Sequence, residues 1–172
     1  MCDTPSSCWT FLPRSDWQEL YYVAAPELSE DELAFLQALA RHQVRYLVVG
    51  LVAAGLQGTL VLTQDIDLWF ENLSDPNLRM ALKEVGGAYV PPFDLNPPMF
   101  AGGGLDLFDI VIRMDGLQGF AEEYERRLEV KVGNVTVPIL SLERILASKR
   151  TTNRLKDRLV IPVLEDALKA QS

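Results

Sequence analysis

The chain has 172 residues, 48% of them hydrophobic and 23% charged, which is the size and composition of one globular domain rather than of a disordered chain. A formal net charge of −8 argues against a general duplex-DNA binder. No apolar run approaches the ~20 residues that a membrane span needs. The opening Met1-Cys2-Asp3-Thr4 is not a basic stretch followed by an apolar one, so a soluble protein without a leader is expected.

Residues 1–28 read as an irregular segment carrying Trp9, Phe11, Trp17, Tyr21 and Tyr22, suited to packing on the body or on a partner. Cys2 and Cys8 could close only a trivial loop and read as free thiols, which points to a reducing, cytoplasmic setting. Residues 29–172 read as the domain. Ser29-Glu30-Asp31-Glu32 is a capping box, and the helix it opens extends to about Gln43. Tyr46–Val49 is a buried strand that stops at Gly50. Leu51–Leu56 is a short helix ended by Gly58, and Asp65–Phe70 is the next strand. Ser74 caps a helix with Pro76 in its first turn. The Pro- and Gly-rich stretch 91–104 reads as a loop able to fold over a site. Leu107–Arg113 is a strand and Phe120–Arg127 a helix. Glu129–Val132 and Val135–Ile139 form a hairpin about Gly133-Asn134. Ser141 caps a helix to about Arg150, and a last helix from Leu155 is kinked or broken at Pro162. Buried strands interleaved with helices make an α/β (α+β) domain, a small mixed β-sheet with helices packed on it.

Two features carry chemistry. Asp65 and Asp67 project from one face of an apolar strand, about 6–7 Å apart at Cα. Two carboxylates so placed repel one another, and a divalent cation such as Mg²⁺ resolves the conflict while leaving positions for substrate phosphates. Upstream, the strand ending at Gly50 and the helix behind it offer free backbone N–H groups to a phosphate. The second feature is a basic run. Arg144, Lys149, Arg150, Arg154, Lys156 and Arg158 fall within fifteen residues, against the single acid Asp157. It reads either as a solvated helix face or as a pocket for a triphosphate or a nucleic-acid end.

The run VVGLVAAGLQGTLVLTQDIDLWF, then FDIVIRMDGLQGFAEEYERR, then VPILSLERILASKRTTNRLKD, resemble in order the motifs of small bacterial nucleotidyltransferase-like proteins of the polymerase-beta superfamily. Some of those are the toxins of toxin–antitoxin systems. The resemblance spans about residues 45–158 and implies a nucleotidyltransferase fold and an enzyme with three carboxylates: Asp65, Asp67 and a third from the neighbouring strand. Asp109, deep in that strand, is preferred over Asp106 at its start. The resemblance further implies two Mg²⁺ ions on these carboxylates and nucleotide contacts at Gly50, Leu51, Thr63, Lys149 and Arg154. The substrates implied are an NTP and an unknown acceptor, such as a tRNA end, a protein or a small molecule. A cognate antitoxin or other protein partner is also implied. Leu51 stands where the family carries Gly or Ser, and Val61 where it often carries a basic residue. Both changes fall on the nucleotide half of the site. The rival expectation is therefore a degenerate domain that binds a protein without catalysis.

Other residues read as structural. His42, the sole histidine, sits at a helix end, and one histidine with two terminal cysteines makes no zinc site. Ser148 reads as a helix-surface residue. Trp69 reads as a core or rim aromatic, with base stacking as the alternative. Gly102–Gly104 lacks the Lys-Ser/Thr of a P-loop.

Overall fold

The computed structural model describes residues 28–171. The expected structure of the segment 1–28, with its aromatics and both cysteines, lies outside the described residues except for Leu28. Six helices and seven strands follow in the order α1 (Glu30–Arg41), β1 (Tyr46–Val48), α2 (Gly50–Gly55), β2 (Ile66–Phe70), α3 (Pro76–Glu84), β3 (Gly87–Val90), β4 (Met99–Gly102), β5 (Phe108–Val111), α4 (Phe120–Glu125), β6 (Leu128–Val132), β7 (Val135–Ile139), α5 (Leu142–Thr152) and α6 (Leu155–Gln171). The strands form one mixed sheet in the order β3-β4-β5-β2-β1-β7-β6. At its centre β1 runs antiparallel to β2, and β2 runs parallel to β5.

Alternation along β2 divides its side chains between two environments. On one face Phe35 of α1 meets Phe100 and Phe108 edge-on at 5.4 and 5.1 Å, and Phe70 meets Phe100 at 5.8 Å. On the other face Trp69 packs edge-on against Phe120 of α4 at 5.4 Å. Trp69 is thus a core aromatic, and Asp67, two residues earlier, shares its face. The Ser29 capping box is present in both directions, with Glu32 reaching back to the Ser29 N–H at 2.7 Å. His42 ends α1 and meets Glu84 at 2.8 Å.

Four expectations are corrected. The helix at Pro76 is capped by Asp75, which accepts from the Asn77 N–H at 2.9 Å, and not by Ser74. The 91–104 stretch is not all loop, because Met99–Gly102 is β4 and pairs with β3. Its glycines sit at positive φ, and a Cβ on Gly103 would stand 2.5 Å from the Val85 carbonyl oxygen. Ser141 makes no side-chain cap bond. The Gln57 carboxamide does that work, accepting from the Leu142 N–H at 2.8 Å and donating to the Ala53 and Leu140 carbonyls. Finally, α6 continues through Pro162. Pro162 is exposed, so the carbonyl that loses its N–H partner there lies on a face open to water. Among the described residues no helix is long and apolar enough to cross a membrane.

Candidate active site

Asp67 and Asp109 are paired in register across the parallel β2–β5 ladder. Neighbouring strands are about 4.8 Å apart, and register partners point to the same side. Asp67 is half-buried and Asp109 exposed. Burial first, then the negative charge of Asp109, lifts the Asp67 carboxyl to about 6; Lys149 opposes this, Asp65 adds to it, and Lys156 opposes it. Asp65 is exposed and lies one residue before β2 begins. Asp106 sits in the turn ahead of β5, outside the ladder.

Gly50 closes in on the carboxylate from the end of β1. It adopts φ +67°, and a Cβ there would stand 2.0 Å from Asp67 Oδ2. Leu51 is half-buried and does not line the cleft in front of Asp67. Thr63 is half-buried, its hydroxyl 3.5 Å from the Asp65 carbonyl oxygen.

The cleft, of about 260 Å³, runs from Gly50 and Asp67 to Arg113, Ser148, Lys149, Thr152, Arg154 and Lys156. Its cationic wall is built by the corner between α5 and α6. Asn153 takes the left-handed conformation at the end of α5 (φ 45°), which amide side chains tolerate, and turns the chain back on itself. The turn buries Asp157 completely. Asp157 accepts from Thr152 Oγ1 at 2.8 Å and Arg154 Nε at 2.9 Å, and pairs with Lys149 Nζ at 3.0 Å. Burial disfavours its charge, but the hydrogen bonds from Arg154, Thr152 and Lys149 outweigh that and hold the carboxyl well below the usual range.

The basic run is thus mostly spoken for. Arg144 clamps the buried Glu123 and Arg150 pairs with Glu165. Lys149 and Arg154 share Asp157, and Arg158 bonds the Asn153 carbonyl. Lys156 is exposed at the cleft and makes no hydrogen bond or ion pair among the described residues. Sequence reasoning misses several site residues, among them Arg113, Asp115 and Thr152, which line the cleft. Ser148 lines the cleft and is buried, 6% exposed, instead of lying on a helix surface. Asp157 is the anchor of the cationic wall, and its place as the lone acid in a basic run was the available signal.

Comparison with known proteins locates this arrangement in a fold. The structure of the aminoglycoside nucleotidyltransferase ANT(2")-Ia in complex with adenylyl-2"-tobramycin superposes with a TM-score of 0.56 at 17% identity. The match covers 81% of this chain and 88% of that one. The fold is that of a nucleotidyltransferase. No protein-family model and no curated protein matches the chain. On this nucleotidyltransferase fold the carboxylate pair lies on the central ladder, while the cationic corner comes from the C-terminal helices. The Pro- and Gly-rich stretch 91–104 contributes no residue to the cleft.

The metal the sequence leads one to expect can be tested against these donors. Among the described residues, no three His, Cys, Asp or Glu side chains converge on a common point. Mg²⁺, however, is typically held by one or two carboxylates, with water and substrate phosphates completing its shell. Asp67 and Asp109 supply two hard oxygen donors on one face. Burial and the neighbouring Asp109 charge disfavour the ionised form of Asp67, which a cation bound there would favour. The pair fits the ion.

Proposed function

We propose that the chain is a Mg²⁺-dependent nucleotidyltransferase that moves an NMP group from an NTP to an acceptor hydroxyl. The observation that carries this reading is Asp67 in a cleft lined by Lys149, Arg154 and Lys156, with Gly50 against its carboxylate and Asp109 as its register partner on the next strand. In the reaction a bond forms between the acceptor oxygen and the α-phosphorus, and the bond from that phosphorus to the pyrophosphate oxygen breaks. Asp67 and Asp109 would hold Mg²⁺, with Asp65 at the strand's entrance contributing a carboxylate to a second ion. Bound there, the ions would supply charge neutralisation at the phosphates and a lowered pKa for the acceptor hydroxyl. Asp109, the more exposed of the pair, would take the acceptor's proton. Lys156, Lys149 and Arg154 offset phosphate charge, Lys156 without giving up a protein partner. Gly50 keeps the backbone low enough for a phosphate to approach.

The acceptor class stays at an RNA end, a protein or a small molecule; the neighbour's ligand, an adenylylated aminoglycoside, supports a small hydroxyl-bearing acceptor. A second reading, a catalytically silent domain that binds a partner protein such as an antitoxin, rests on Leu51 in place of Gly or Ser. That Leu51 stays out of the cleft supports the first reading. The deciding experiment is incubation of the full chain with each α-labelled NTP, Mg²⁺ and cell extract. The expected result is label on one acceptor class, absent with Asp67→Asn. Extracts left unlabelled by all four nucleotides would favour the silent domain.

A further inference from the structure

The exposed side of α6 carries an apolar stripe along its N-terminal half. Leu155 is 76% exposed, Leu159 72% and Val163 38%, with Pro162 exposed between them. At 100° per residue these four lie within one stripe, which Asp166 continues and Arg158 flanks. The opposite side of the helix is occupied by Asp157 and Leu164, both fully buried.

Charge is distributed along the stripe in a particular way. Arg158 and Asp166 lie four residues to either side of Pro162, about 6 Å along the axis in each direction. Among the described residues, Arg158 spends only its Nε, on the Asn153 carbonyl, and Asp166 meets only the exposed Lys169 one turn away. A two-fold axis at Pro162 sets Arg158 of one helix opposite Asp166 of an antiparallel second copy, and the reverse. The ends complement each other too. The Gln171 side chain donates to the Gln57 carbonyl at 2.8 Å, so the C-terminal end of α6 adjoins the segment bearing Leu60 and Leu62, which are 73% and 101% exposed. Antiparallel pairing carries Leu155 and Leu159 of one copy towards that end of the other.

We propose that α6 is the contact surface of a two-fold dimer of this chain, packed antiparallel about Pro162, with Leu155, Leu159 and Val163 covered and Arg158 paired to Asp166 across the axis. The contact is isologous, as a two-fold requires, because each half of the helix carries what the other half lacks. One helix stripe and one loop make a modest area, so the dimer forms at micromolar concentrations rather than as an obligate pair.

The test is sedimentation equilibrium on the full-length chain from 1 to 200 µM, alongside Leu159→Glu, Arg158→Asp, Asp166→Arg and the double charge swap. Circular dichroism melts establish that each variant folds. Wild type is expected to dimerise, and Leu159→Glu to remain monomeric. Each single charge reversal should weaken dimerisation about tenfold, since the two-fold creates two repulsive pairs, and the double swap should restore it. A wild-type chain that stays monomeric throughout overturns the proposal; that is the outcome if residues 1–27 or another protein takes this face. A dimer indifferent to both single reversals and to Leu159→Glu overturns it equally, by placing the interface elsewhere.

Discussion

Asp67 and Asp109 stand opposite one another on adjacent parallel strands, and the pair sets the electrostatics of the cleft. The two carboxylates share one rung of the ladder, and burial of Asp67 together with the Asp109 charge disfavours the ionised form of Asp67. The cations of the α5–α6 corner offset this only in part, because two of them also serve Asp157.

The first prediction concerns pH. The Asp67 carboxyl rises from its ordinary 3.8 to about 6 on folding. The folded chain therefore holds this proton more tightly than the unfolded one. Stability from this group is full below about pH 4 and falls as pH rises to 6, by roughly 3 kcal/mol at most. Asp67→Asn removes that dependence. The difference in melting temperature, variant minus wild type, should grow from pH 4 to 6 and level off above. A flat difference would mean that Asp67 is not charge-stressed.

Asp157 predicts the opposite sign. Its carboxyl is held low, so its stabilisation is complete above about pH 4 and fades as pH falls further. Asp157→Asn leaves the mostly buried Lys149 without its anion, while the exposed Arg154 is rehydrated, and should cost about 3 kcal/mol, the low end for breaking a buried pair. Denaturant titration at pH 7 measures this directly. A loss under 1 kcal/mol would show that the two cations re-pair elsewhere.

The carboxylates beside Asp67 can be separated by activity. Asp109 shares its register, whereas Asp106 lies in the preceding turn. Asp109→Asn should lower nucleotidyl transfer on the order of a hundredfold or more, with the melting temperature at pH 7 unchanged or raised. Asp106→Asn should remain close to wild type. The reverse ranking would move the third carboxylate to Asp106.

Gly50→Ala tests the glycine. The φ of +67° disfavours any side chain, and the added methyl would collide with Asp67 Oδ2. A loss of about 1–3 kcal/mol is expected from backbone strain alone. The displaced carboxylate should also weaken Mg²⁺-NTP binding. Unchanged melting and unchanged binding together would contradict the close approach.

Much of this arrangement was readable in the residues. The Ser29–Glu32 capping box, the hairpin about Gly133 and the strand carrying Asp67 all depend on local pattern, and the structure contains each. What the pattern could not give depends on distant partners. The β3–β4 pair is built from four-residue strands flanked by glycine and proline, and it becomes sheet because β5 offers an edge. The N–H of Leu142 is capped by Gln57, 85 residues away, so Ser141 was credited with a bond that another residue makes. Ser148 looked like a surface residue until α6 folded back over α5. Pro162 read as a kink or a break; the helix is unbroken there, and packing of Leu164 and Asp157 carries it past the proline.

The central claim is that Asp67 and Asp109 form a site for a nucleotide with its metal. Isothermal calorimetry with a non-hydrolysable ATP or GTP analogue, with and without Mg²⁺, tests it most directly. Binding is expected in wild type only when Mg²⁺ is present, and should be lost in Asp67→Asn. Equal binding of the analogue by wild type and Asp67→Asn in the presence of Mg²⁺ would contradict the account.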